Sequence, residues 1–150
     1  MKFDKRSLRR FFVRLGFWGL ISAIPLVSAE LNEVESRLAE IAKQQKAPAI
    51  ALLEQVVNIN SGTMNHAGVK QVADVFEQEF KALGFETRWH DMSEVDRAGH
   101  LFADNGGPGV CQLLIGHLDT VFEASSAFQT FVRQGDTARG PGVSDMKGGD

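Results

Sequence analysis

Hydrophobic positions along this chain change their period several times, and each change predicts an element. An apolar run from Leu15 to Val27 follows a basic start. From Glu30 to Lys46, Val34, Leu38, Ile41 and Ala42 recur at helical spacing and predict an amphipathic helix. Pro48 suits the first turn of a second helix, where a missing N–H costs nothing. Ile50, Leu53, Val56 and Val57 give that helix one apolar face, and Ser61-Gly62 breaks it. The clearest helix covers residues 67–83, with Val69, Val72, Ala73, Phe76, Phe80 and Leu83 in one stripe. Asn65 suits its N-cap and Gly84 its left-handed end. The period then becomes two over Phe85 to His90, with Phe85, Thr87 and Trp89 on one face of a half-buried strand.

Farther on, Met92 to Gly99 reads as a loop and His100 to Ala103 as a short strand. Asn105 to Gly109 is a turn signal. Val110 to Ile115 is continuously apolar, which predicts a strand covered on both faces. Phe128 to Val132 predicts another strand, turning at Gln134-Gly135-Asp136. Helices alternating with strands give an α/β fold, expected as a layered helix-sheet-helix domain.

The first 29 residues stand apart from that domain. Lys2, Lys5, Arg6, Arg9, Arg10 and Arg14, the apolar run and a small-x-small Val27-Ser28-Ala29 are the three parts of a secretory signal peptide. Pro25 and Ser28 leave the run short of the about 20 apolar residues of a spanning helix. Arg9-Arg10-Phe11-Phe12-Val13 also resembles a twin-arginine export signal, with Leu8 where a small polar residue is usual. An exported protein, periplasmic or secreted, is expected, without stable membrane association after cleavage. Residues 1–29 hold six Lys/Arg and one acid, so ten basic and eighteen acidic residues remain, a formal charge of −8. That acidic balance argues against nucleic acid as a partner. Cys111, the single cysteine, excludes an internal disulfide and reads as a buried, inert thiol.

Two segments carry the candidate chemistry. Gly116-His117-Leu118-Asp119-Thr120 follows the apolar run, and period-two alternation puts His117 and Asp119 on one side of the chain. A neutral imidazole can ligate a metal while a neighbouring carboxylate fixes its tautomer. The pair alone fits equally a hydrogen-bonded turn. In Gly140-Pro141-Gly142-Val143-Ser144-Asp145-Met146-Lys147-Gly148-Gly149, glycines permit close approach of the backbone around Asp145. It is not a phosphate-binding loop, because Lys147 precedes Gly148 and no hydroxyl follows.

Together these segments resemble the M20 family of zinc peptidases, especially its glutamate carboxypeptidase branch. Leu53 to Gly62, the stretch Phe80 to Phe85, and His117 to Phe122 fall in the family's order, so the resemblance covers roughly residues 48–150. It implies that His117 is a ligand of one zinc, that Asp145 bridges two zinc ions, and that Asp119 is the catalytic aspartate orienting His117. It also implies a cis peptide bond after Asp145. The implied activity is zinc-dependent hydrolysis of an amide or peptide bond, releasing a carboxy-terminal amino acid such as glutamate from a small peptide or N-acyl amino acid. A related deacylase or dipeptidase carries the same motifs. A homodimer formed through a further domain is also implied.

The general base and remaining ligands that the resemblance calls for are not found within residues 30–150. Glu123 reads as a solvated loop acid, and His66, His90 and His100 have no partner at ligand spacing. Residues 30–150 are therefore expected to form the amino-terminal part of a catalytic domain, truncated and inactive alone. The competing expectation is a non-catalytic fragment that at most binds metal weakly.

Overall fold

Asn32 starts the first helix, α1 (Glu33–Val57), with a reciprocal cap in a computed structural model describing residues 30–150. The Asn32 side chain accepts the Glu35 N–H at 2.9 Å, and Glu35 Oε2 accepts the Asn32 N–H at 2.8 Å. The expected signal segment lies outside the described residues. Two separate helices were expected across this stretch, and one continuous helix is found, with Pro48 inside it. Proline removes one rung of the hydrogen-bond ladder. Strong helix formers on both sides, Lys43 to Ala47 and Ala49 to Glu54, carry the helix through.

Asn65 caps the second helix, α2 (His66–Ala82), accepting the Gly68 N–H at 3.2 Å. Gly84, at φ +85°, turns the chain out of it. The antiparallel strands β1 (Glu86–Asp91) and β2 (Gly99–Asp104) follow, in a register pairing Trp89 with Leu101 and His90 with His100. Between them, Ser93–Val95 form a single 3-10 turn. Thr87, Trp89, Leu101 and Ala103 face inward, as period-two alternation predicts. The outward-facing His90 and His100 pair across the strands, while His66 begins α2.

Val56, Val72 and Phe76 are the centre of the core, where the end of α1 meets α2. Leu53, Ile59, Phe80, Leu101 and Leu118 pack around them. A second antiparallel ribbon, β3 (Val132–Gln134) and β4 (Thr137–Arg139), turns at Gly135. It begins where the predicted strand over Phe128 to Val132 was expected to end.

The described elements make a mixed α/β fold of two helices and two small antiparallel sheets. Val110 to Ile115 corrects the expectation of a buried strand: it is irregular, with Val110 99% and Leu114 90% exposed. An apolar run becomes a strand only beside an edge that accepts its N–H and C=O groups, and neither ribbon pairs with it. Cys111 is consequently exposed rather than buried. Val34, Leu38 and Ile41, from the predicted apolar face of the first helix, are exposed as well. No helix among the described residues is long and apolar enough to cross a membrane.

Candidate functional site

His117 and Asp119 meet although they lie in a loop rather than at a strand end. His117 Nδ1 is 3.0 Å from the Asp119 carbonyl oxygen and 3.2 Å from its carboxylate Oδ1. Facing two acceptors, Nδ1 is placed to donate to Asp119. Nε2 lies 2.9 Å from Asp145 Oδ1. The three residues singled out by sequence thus stand side by side. The Asp145 carboxylate holds the His117 imidazolium above the usual histidine range, against a smaller opposing effect of burial.

A parallel bridge fixes the loop that carries this pair. Thr120 N–H donates to Ser61 O at 2.8 Å, and Thr63 N–H donates to Thr120 O at 3.0 Å. Ser61 and Thr120 are both buried. The Thr63 hydroxyl donates to Asp119 Oδ2 at 2.6 Å. Asn60 adds a second tie, its amide reaching Phe122 O at 2.9 Å and Gln129 Oε1 at 2.7 Å. Glu123, expected as a solvated acid, is half-buried and accepts the Met64 N–H at 3.1 Å. It braces the two loops against each other.

The glycine loop approaches from the other side, wound around Lys147. That side chain is 3% exposed, and its ammonium donates to Val56 O at 2.7 Å and Ile59 O at 2.9 Å. Both acceptors lie at the carbonyl end of α1, where a cation is favoured. Burial pushes the Lys147 pKa down to about 8, with Asp150 pulling the other way. Gly142 has φ +83°, and a Cβ there would stand 2.9 Å from the Lys147 side chain. The Asp145–Met146 peptide is cis, as the resemblance implies. Sequence reasoning used Lys147 only to reject a phosphate loop and overlooked Thr63. A lysine set among glycines is the sequence signal that was available.

His117, Asp119 and Asp145 open with Thr63, Phe128 and Arg139 onto a cleft of ≈ 440 Å³. An imidazole nitrogen and a carboxylate oxygen are both zinc ligand types, and Nε2 and Oδ1 converge closely enough for one cation to touch both. They fit as two ligands. No group of three or more His, Cys, Asp or Glu that would complete a centre occurs among the described residues. His66, His90 and His100 lie on α2 and the β1–β2 ribbon, outside this cleft.

No family model matches the chain. It is similar to Carboxypeptidase G2 of Pseudomonas sp. (strain RS-16), at 32% identity over 137 residues. The match covers 87% of this chain and 32% of that protein. The chain spans about a third of the length of the curated relative it matches. Over most of its own length, then, the chain is related to a peptidase-like hydrolase.

Proposed function

We propose that this chain supplies part of the active site of a zinc-dependent hydrolase that cleaves a peptide or amide bond next to a carboxy-terminal amino acid such as glutamate. The observation that carries the reading is the convergence of His117 Nε2 and Asp145 Oδ1 at 2.9 Å, with Nδ1 of the same ring held by Asp119. The similarity to a carboxypeptidase supports it. His117 and Asp145 would hold the metal, two ions in the complete enzyme, and Asp119 would orient His117. Bound zinc supplies a water nucleophile at neutral pH and polarises a carbonyl oxygen. For that chemistry the chain's own residues do three things. Asp119 keeps the His117 proton on Nδ1, the glycine loop presents Asp145, and Lys147 anchors that loop to α1.

The reading extends to the whole protein. The exposed apolar face of α1 and the run 110–115 would be covered in a complete, layered α/β domain. Residues 1–29 would export the protein. Its substrate would be a small peptide or an N-acyl amino acid, and it would pair as a homodimer through a further domain. The deciding experiment is hydrolysis of N-acyl glutamates and short peptides by the complete protein, before and after chelation and after zinc is restored. Chelator-insensitive hydrolysis, or no hydrolysis with zinc bound, would count against the reading.

A further inference from the structure

We propose that Thr63 is a positioning residue of this site, holding Asp119 so that Asp119 can hold His117; the inference rests on the zinc-hydrolase reading above. Thr63 lies 56 residues before Asp119, yet its hydroxyl stands 2.6 Å from Asp119 Oδ2. The other acceptor in reach, Thr120 O, is farther away at 3.3 Å. A hydroxyl proton between a neutral carbonyl and a carboxylate goes to the carboxylate, where the bond is shorter and stronger. One oxygen of Asp119 is thereby taken by Thr63, and the other faces His117 Nδ1 at 3.2 Å.

Division of the carboxylate matters because the terminal torsion of an aspartate is broad. Without a donor on Oδ2, only the 3.2 Å contact with Nδ1 resists rotation about its last bond, and the carboxylate's share of the hold on Nδ1, beside the 3.0 Å contact with the Asp119 carbonyl, weakens. With Thr63 in place, rotation is fixed, and the imidazole is turned with Nε2 towards Asp145. The line runs Thr63, Asp119, His117, Asp145, each linked to the next by the contacts given above.

A tie between loops does not account for the hydroxyl. The backbone already makes that tie, through Thr63 N–H to Thr120 O and Thr120 N–H to Ser61 O. Those two bonds flank Asp119 and place the Thr63 backbone beside it. The β-branched side chain has few χ1 positions, so the fixed backbone also fixes the oxygen. What the hydroxyl adds is its bond to Asp119.

The test is zinc affinity of the complete protein, read by competition with a chromophoric chelator, alongside thermal unfolding of the metal-free form. Thr63→Val keeps the shape and removes the donor; it should weaken zinc binding about tenfold, the lower end for partners that support a metal ligand. Thr63→Ser keeps the donor and should stay within about threefold of the unaltered protein. In an Asp119→Asn background, Thr63→Val should add less than about twofold, because its effect passes through that carboxylate. If Thr63→Val fails to fold, Thr63→Ala takes its place. Unchanged affinity in the valine variant, equal loss in the serine variant, or full additivity with Asp119→Asn overturns the role of Thr63 and leaves the zinc reading standing. Failure of the unaltered protein to bind zinc overturns both.

Discussion

His117 Nε2 and Asp145 Oδ1 are 2.9 Å apart across 28 residues of chain, joining two loops that share no regular element. Each loop is anchored separately, the first by the Thr120 bridge to Ser61 and Thr63, the second by Lys147 on α1. As ligands, the two residues should respond differently to truncation from the aspartate behind them. In the complete protein, His117→Ala and Asp145→Ala should each abolish activity through loss of metal. Asp119→Ala should still load at saturating zinc, with affinity lowered about tenfold to a hundredfold, and lose turnover. Metal analysis beside steady-state rates checks this; full zinc in both the His117 and Asp145 variants would reject the assignment.

Proton and metal compete for the same lone pair, which sets a pH dependence. The contact with Asp145 raises the His117 pKa, so the ring keeps its proton to higher pH than an ordinary histidine. Zinc affinity should therefore climb with pH until that raised value is passed, about tenfold per unit for one proton displaced. In the metal-free protein the sign is reversed. The pair stabilises the fold fully below the unfolded-state pKa of about 6.5, and that contribution is lost as pH rises through the raised value. Titration of the His117 ring by NMR, with and without Asp145→Asn, measures the shift; an unaltered pKa in the variant would contradict the cause given.

Lys147 offers a separate stability test. Lys147→Met removes the donor to Val56 O and Ile59 O, leaving Val56 O with only the long bond from Ile59 N–H at 3.3 Å, at a cost of about 1–3 kcal/mol. The folded-state pKa of about 8 lies below the ordinary lysine value of 10.5, so the unfolded chain binds the proton more tightly. Stability relative to the methionine variant should consequently increase from about pH 8 to about pH 10.5. Denaturant melts across that window read the trend, and a flat difference would contradict burial as the cause of the lowered pKa.

Local pattern made much of this legible. The stripe from Val69 to Phe80 and the Asn65 cap give α2 almost to the residue, because both signals act within one helical turn. Thr87 and Trp89 give the inner face of β1 for the same reason. His117 and Asp119 were paired from their spacing of two, and they do meet, through a loop instead of a strand. Misreadings arose where distant partners decide. Val110 to Ile115 has a strand's composition, but composition does not supply a neighbouring edge. Pro48 reads as a boundary until the helix formers on both sides are weighed together. Neither the Thr63–Asp119 bond nor the Lys147 anchor has a sequence period, since each spans more than fifty residues.

Export rests on Arg9 and Arg10 in the twin-arginine reading of the first residues. Changing both to Lys keeps the charge and removes the guanidinium pair. Export of the complete protein should then stop, with the precursor retained in the cytoplasm. Fractionation followed by immunoblotting checks it, and undiminished export would reject the twin-arginine route.

Val110, Leu113, Leu114 and Ile115 are all at least 79% exposed, and the outer face of α1 adds Val34, Leu38 and Ile41. Exposed apolar surface forgoes roughly 25 cal/mol per Å² that burial would return. Contiguous patches of this kind mark an interface or an aggregation site. Residues 30–150 expressed alone should therefore unfold at low denaturant, bind a hydrophobic dye in their native state and self-associate. They should also lack hydrolytic activity, because the described residues contain no group of three ligands. Replacing Leu114 by Lys in that segment should reduce dye binding and self-association with little change in helix content, since the side chain meets water already. Sedimentation and dye fluorescence separate the outcomes. A monomeric, dye-silent, zinc-dependent hydrolase would show that residues 30–150 need no covering surface.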